Sequence, residues 1–184
     1  MSPIIHTARL TLRPFTQDDA PELHRITNQP HVLQWMPGRA CDLEKTRELI
    51  EKYAVWHKTA PARPFVFALA MELEGTLIGF VCINNIPVVD DDIEAAYYID
   101  AAHQGHGYTS EAAKALSNWF LETYHLPHLI AIVEPENRLS QRVVEKSGYE
   151  RQGSRYIFLP SHGAEKEFFY YRLYSAHGDG YDAP

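Results

Sequence analysis

The chain has 184 residues, 45% of them hydrophobic and 12% aromatic, enough for one buried core and too few for two ordinary domains. Acidic residues (24) outnumber basic ones (17) for a net charge of −7, and no Lys/Arg cluster forms the basic stripe that a nucleic-acid binder needs. A surface of this kind serves solubility and also draws in cations such as amines. Cys41 and Cys82 are isolated, which fits a reducing compartment; the start MSPIIHTARL lacks a signal-peptide pattern, and no apolar run nears the ~20 residues of a membrane span, so a cytoplasmic protein without membrane contact is expected.

In chain order, ARLTLRPF (Ala8–Phe15) puts Leu10 and Leu12 on one face and reads as a strand ended by Pro14. TQDDAPELHRITN reads as a helix with Thr16 at the N-cap and Asp19 three residues on, until Asn28-Gln29-Pro30 breaks it. A second helix is expected from about Leu43 to His57, capped by Asp42, with Leu43, Ile50 and either Tyr53 or Ala54 inward. RPFVFALAMELEG and TLIGFVCIN are β-rich runs joined at Glu74-Gly75, a hairpin signal. Past the acidic loop Asp90-Asp91-Asp92 comes a central strand, IEAAYYID. Ala112, Leu116, Trp119, Phe120 and Tyr124 then recur at helical spacing until Pro127. HLIAIVEPEN is another buried strand, NRLSQRVVEKSG a short helix ending at Gly148, and YERQGSRYIFLP with KEFFYYRLY a final hairpin. Residues 176–184 have nothing to bury and read as a frayed tail of one domain spanning 1–184.

Between the strand IEAAYYID and the helix lies HQGHGYTSEA, with Gly105 and Gly107 one residue apart. The spacing suits a phosphate cradle. A dinucleotide-binding unit would want a third glycine where Ser110 stands, and its first glycine closer to the strand than the four residues Ala101 to Gln104 allow, although Glu134 follows near the end of the next strand. A P-loop would want lysine after the glycines, and Gly107-Tyr108-Thr109 has none. Standing alone, the segment is equally a tight turn into a helix.

Four stretches together carry more: ARLTLRPFTQDDAPEL, IGFVCI, EAAYYIDAAHQGHGYTSEAAKAL and VEPENRLSQRVVEKSGYERQG. Over Thr7 to Tyr174 they resemble the GCN5-related N-acetyltransferase (GNAT) superfamily, and within it the ribosomal-protein N-terminal acetyltransferase-like branch. The superfamily's Arg or Gln three residues before the first glycine is Ala102 here, and Gln104 before Gly105 follows the branch instead. The resemblance implies a mixed α/β (α+β) GNAT fold: a mostly antiparallel sheet of six to seven strands, splayed between its fourth and fifth, IEAAYYID and HLIAIVEP, with about four helices. It implies acetyl-CoA as acetyl donor and a primary amine, a protein N-terminus or a small molecule, as acceptor.

On this resemblance the pyrophosphate meets the backbone of Gln104, Gly105, His106, Gly107, Tyr108, Thr109 and Ser110, where a helix N-terminus presents unpaired N–H groups and a partial positive charge. The pantetheine arm pairs with strand backbone near Tyr98 and Ile99, and Asn137 contacts it while also suiting a plain helix N-cap. Glu94 matches the position of a general base, against the alternative of an exposed strand-start carboxylate beside Asp91 and Asp92. Ser140 matches the branch position that meets the departing thiolate, against a solvent-facing helix residue; Tyr149 lies past the helix and reads as strand core. The oxyanion is assigned to a backbone N–H such as that of Ile99. Trp35 and Met36, with Pro37, fall where relatives line the acceptor pocket. Ala101 and Ala102 stand where the branch can carry a catalytic acid, which counts against a ribosomal substrate. His103-x-x-His106 and His125-x-x-His128 lack a third ligand, so no metal is expected. The alternatives are a non-catalytic acyl-CoA-binding domain and a dinucleotide-dependent oxidoreductase, and the oligomeric state stays open between monomer and homodimer.

Overall fold

A computed structural model describes residues 3–85, 92–160 and 163–175; Asp90 and Asp91 of the expected acidic loop, and the tail from residue 176, lie outside the described residues. In chain order the elements are β1 (Ile5–His6), β2 (Thr11–Arg13), α1 (Ala20–Thr27), α2 (Pro30–Leu33), α3 (Leu43–Thr59), β3 (Val66–Leu73), β4 (Thr76–Asn85), β5 (Ile93–Ile99), α4 (Tyr108–Tyr124), β6 (His128–Val133), α5 (Arg138–Lys146), β7 (Glu150–Leu159) and β8 (Ala164–Tyr174). The strands form one sheet in the order β1-β2-β3-β4-β5-β6-β8-β7, antiparallel throughout except between β5 and β6. None of the helices among the described residues is long and apolar enough to cross a membrane.

The mixed α/β fold is the expected one, with one more strand and one more helix than the sequence reading gave. The strand expected over Ala8–Phe15 is shorter, Thr11–Arg13, and a further strand, Ile5–His6, precedes it: the Thr7 N–H bonds the Leu10 carbonyl at 2.9 Å, turning the chain so that Ile5 pairs back on Leu12. Pro30, expected only to break a helix, also starts α2, because its missing N–H and fixed φ suit a first helical position. The expected caps form. The Thr16 backbone N–H donates to the Asp19 carboxylate at 2.7 Å, and the Asp42 carboxylate accepts from the Lys45 N–H at 2.8 Å. Tyr53, not Ala54, is the inward residue of α3. Glu74 (φ 50°) and Gly75 (φ 80°) make the tight hairpin. Helix α4 ends at His125, in left-handed conformation at φ 51°, two residues before Pro127.

Strands β3 and β4 are buried on both faces, and their alternation divides the core. Phe67, Leu69, Met71, Ile78, Val81 and Ile83 pack with Ala112, Leu116 and Phe120 of α4. Ala68, Ala70, Leu77, Phe80 and Cys82 pack with Leu23 and Ile26 of α1 and Ile50 and Tyr53 of α3. Gly79 sits where β4 and β5 crowd together: a Cβ there would lie 2.6 Å from the Tyr98 carbonyl oxygen. Strand β5 continues the alternation, with Ala95, Tyr97 and Ile99 toward α4, and Ala96 and Tyr98 toward α1–α3.

Asp100 fixes the end of β5 to the first helical layer. It is 6% exposed and accepts hydrogen bonds from Arg25, from Gln29 (3.0 Å) and from the Ala102 N–H (3.2 Å), while Gln29 accepts from the Ala101 N–H at 3.0 Å. Burial works against its ionised form, but the bonds from Gln29, Arg25 and Ala102 outweigh it and hold the carboxyl down at about 2. Because the folded value lies below the unfolded one, this contribution is complete above the usual carboxylate range and is lost as pH falls through about 2. Asp100→Asn should cost about 2 kcal/mol at neutral pH, the scale of hydrogen bonds to a charged group. Urea unfolding measured from pH 7 to pH 2 should show the difference from the parent shrinking as pH falls.

Candidate active site

After Asp100 a short 3₁₀ turn (Ala101–His103) leads into the two glycines, at φ +82° for Gly105 and +80° for Gly107. Both lie in the left-handed region that disfavours a side chain. The loop leads straight into α4, whose ladder begins with the Glu111 N–H on the Gly107 carbonyl at 3.1 Å. The N–H groups of Gly107, Tyr108, Thr109 and Ser110 thus have no intrahelical acceptor and no capping side chain. An anion is the complement of such an end. Glu111 faces away and clamps the loop from behind. Its carboxylate accepts from the Thr7 hydroxyl (2.6 Å), the Arg9 N–H (2.8 Å) and the Arg9 guanidinium (2.7 Å), which also reaches the His106 carbonyl at 2.9 Å.

Next to this helix end the sheet opens. Strands β5 and β6 share a single registered pair, Glu94 with Ile130, where β4–β5 share seven and β6–β8 six. The Asp100 N–H bonds the Ile78 carbonyl of β4 at 2.8 Å. In an antiparallel ladder both polar groups of a residue address one edge, so the groups of Ala95, Tyr97 and Ile99 address the opening. His31 Nε2 donates to the Ile99 carbonyl there at 2.9 Å. The opening is a cavity of about 570 Å³ that passes through the sheet, reaching α2 on one side and α4 and α5 on the other.

Of the residues expected from sequence, Trp35, Met36, Glu94, Tyr98, Ile99, Gln104, Gly105, Gly107, Tyr108, Thr109, Ser110, Asn137 and Ser140 all line this cavity. His106 does not. Its ring turns back to the Gln104 carbonyl (2.9 Å) and stacks on Tyr108.

Glu94 stands at the apex, half-buried, with Asn84 Nδ2 at 3.5 Å from its carboxylate. Burial pushes its carboxyl up to about 7 against the opposing pull of Asn84, the Ile132 N–H and the Arg39 charge. Ser140 lies across the cleft on α5, its hydroxyl 2.8 Å from that of Tyr97, which also donates to the Ser140 carbonyl at 3.2 Å. Tyr97 belongs to the face of β5 turned toward α4, Glu94 to the opposite one. Asn137 caps α5, its side-chain oxygen accepting from the Ser140 N–H at 3.1 Å, and this cap fixes the turn that carries Ser140. Tyr149 is 3% exposed and bonded to the Ser117 hydroxyl at 2.8 Å, a core residue. His128 lies 3.4 Å from Asp92, away from the cavity lining.

Three sets of residues went unread in the sequence. Tyr97 carried no signal, because its partner is 43 residues away. Arg138, Arg142 and Lys146 line the cleft from α5 at intervals of four, and that spacing was legible. Arg9 braces the glycine loop only through tertiary contact.

The site thus joins an open strand pair to a helix end with free N–H groups, with a raised carboxyl at the apex. The domain described as "Acetyltransferase (GNAT) domain" matches residues 9–150, and the chain belongs to this acetyltransferase family. Its relatives include the ribosomal-protein-serine acetyltransferase of Escherichia coli (strain K12), 26% identical over 66% of this chain and 65% of that protein. A crystal structure of an acetyltransferase from Agrobacterium tumefaciens str. C58 superposes with a TM-score of 0.73 at 31% identity, covering 94% of this chain and 95% of that one. RimJ of Mycobacterium smegmatis, solved in complex with CoA-disulfide, shares the fold with a TM-score of 0.78 at 18% identity over 97% and 90% of the two chains.

The raised carboxyl of Glu94 has a measurable consequence. A group that holds its proton more tightly in the folded state adds stability that is complete below its unfolded value and lost as pH rises through about 7. The protein should be less stable at pH 8 than at pH 5.5, and Glu94→Gln should flatten that slope. Denaturant titrations at the two pH values check this, with the Glu94 carboxylate resonance followed by NMR to locate the midpoint.

Proposed function

We propose that the protein transfers an acetyl group from acetyl-CoA to a primary amine by direct attack on the thioester. The observation that carries this is the opening of β5 from β6 beside the free N–H groups of α4, with Glu94 on one face of β5 and Tyr97 with Ser140 on the other. The fit of an acyl-CoA rests on the same features. The amides of Gly107 to Ser110 suit a pyrophosphate, the edge of β5 that has left β6 suits a peptide-like arm, and the cations of Arg138, Arg142 and Lys146 suit further phosphate at the mouth.

The acetyl donor supplies an activated carbonyl. An amine attacks only when neutral, so Glu94, with a carboxyl near 7, takes the proton from the incoming ammonium directly or through one water. As the N–C bond forms, the Ile99 N–H is the donor for the carbonyl oxygen that gains charge. The C–S bond breaks with its electron pair on sulfur. The Ser140 hydroxyl, held by Tyr97, stabilises that thiolate or returns a proton to it. Trp35 and Met36 form the acceptor wall. Entry of the amine from the α2 side and of the donor from the α4 side keeps the two substrates on opposite faces of β5. The acidic balance of the chain as a whole favours approach of a cationic amine.

Two measurements test this reading. Free-thiol release with acetyl-CoA across an amine panel should rise with pH through about 7, and Glu94→Gln should lower kcat ~10²-fold and remove that limb. An unaltered profile would assign the base to water or to the substrate. Ser140→Ala should lower kcat ~10-fold or more with CoA affinity preserved, since the bond to sulfur strengthens only as the thioester breaks. Gly107→Val, forced from φ +80°, should lose CoA binding in calorimetry; retained affinity would refute the cradle.

A further inference from the structure

One side chain beside Glu94 bears on the chemistry of the acceptor. Arg39 closes a 3₁₀ turn (Pro37–Arg39) between α2 and α3, directly after the cleft residues Trp35 and Met36. Its guanidinium is half-buried, lies 5.2 Å from the centre of the Phe80 ring and is near enough to Tyr53 to feel its hydroxyl. Phe80 stacks on Tyr98 with ring centres 4.8 Å apart and planes 6° from parallel, and Tyr98 lines the cleft. Phe80, Cys82, Ala96 and Tyr98 share one face of the sheet, and Glu94, two residues before Ala96, shares it too. Arg39 therefore sits over β4 on the sheet face that carries Glu94, the side on which the acceptor enters, next to the cavity but outside its lining.

Arg39 is set beside an aromatic cluster with no acid against it, unlike the arginines that brace the fold. Arg9 is paired with Glu111, Arg13 with Asp19 and Glu72, and Arg25 with Glu22 and Asp100. Among the described residues Arg39 makes no ion pair, and Glu94, although its charge is felt, stays beyond ion-pair distance. A guanidinium taken from water without a counter-ion costs free energy that an aromatic contact recovers only in part. A cation held that way beside a substrate cavity is preorganised for an anion that arrives with the substrate.

We propose that Arg39 is the anion anchor of the acceptor site, and that the preferred acceptor is a primary amine carrying a carboxylate a few bonds from its amino group. The proposal rests on the acetyl-transfer reading above. With the carboxylate on Arg39, the amino group is turned toward Glu94, so two opposite charges orient one small zwitterion. The bound carboxylate also neutralises the cation that pulls the Glu94 proton away, making Glu94 a stronger base when the correct acceptor is present. Two sources share this chemistry: a free α-amino acid, and a chain N-terminus whose first side chain is acidic.

The test compares matched acceptors in kcat/KM: alanine against alaninamide, and a peptide amide beginning with Asp against one beginning with Asn. Amide formation lowers amine basicity and so favours the uncharged member of the first pair chemically; preference for the carboxylate there reports recognition. The carboxylate member of at least one pair should be favoured ~10- to 100-fold, the range of a charge-assisted bond, and the favoured pair names the source. Arg39→Gln should bring that ratio near one and Arg39→Lys should keep part of it, with CoA affinity by calorimetry verifying that both variants are folded. Equal use of both members by the parent, or a ratio that survives Arg39→Gln, overturns the anchor and leaves acetyl transfer standing. Calorimetric titration of alanine and of the Asp peptide into the CoA-loaded protein separates the two readings. Binding lost in Arg39→Gln, with no transfer to any amine, would retain the anchor and overturn acetyl transfer.

Discussion

The site depends on one failure of pairing. Strands β5 and β6 meet only at Glu94 and Ile130 and then diverge, so the polar groups of Ala95, Tyr97 and Ile99 face a cavity and not a neighbouring strand. Unpaired backbone in the middle of a sheet is costly unless water or a ligand satisfies it. The divergence is held by packing on either side: α4 against one face of β4 and β5, and α1 and α3 against the other. Strand β6 is committed to β8 through six registered pairs and cannot follow β5. The rigid parts are thus arranged so that, among the described residues, the edge left open inside the sheet is the one that lines the cavity.

The charges are distributed to match. The chain as a whole is acidic, yet Arg138, Arg142 and Lys146 face the mouth of the cleft, beside the amides at the start of α4. At the apex the sign reverses, and Glu94 is kept in surroundings that work against its own ionisation. A carboxylate placed there costs stability at neutral pH that an isosteric amide would not, and proton affinity near 7 is what it gains. The hydroxyls of Tyr97 and Ser140 stand across β5 from it, so the carboxyl and the hydroxyl pair are separated by the strand.

Two carboxylates that do no chemistry decide whether the site exists. Glu111 gathers Thr7 and Arg9 behind the glycine loop, so its place in the motif is explained by bracing from β1–β2 and not by contact with a ligand. Asp100 ties the end of β5 to Arg25 and Gln29 of the first helical layer. These bonds join segments about 70 to 100 residues apart, which makes the loop geometry a property of the whole fold.

Much of this was legible in the sequence because it is local. Alternation marked the strands; Thr16, Asp42 and Asn137 marked helix starts; and Gly105 and Gly107 marked a left-handed turn, since only glycine accepts that backbone freely. The combination of QGHGYTSEA with NRLS and SGY pointed to the family and to Glu94 and Ser140. The extra strand was missed because its two residues, Ile5 and His6, are too few to show alternation and are paired only by the turn at Thr7–Leu10, and α2 was missed because Pro30 both ends and begins a helix. Tyr97 beside Ser140, Arg9 under the loop and the unpaired Arg39 over Phe80 were invisible, each being a meeting of residues distant in the chain. The sequence by itself determined most of the elements, their order and the glycine turn before α4, because backbone preference and hydrophobic period act over a few residues. Only the tertiary structure decided where β5 leaves β6, which charges stay unpaired and how far the Glu94 carboxyl is shifted, because desolvation and pairing depend on what the rest of the chain brings alongside.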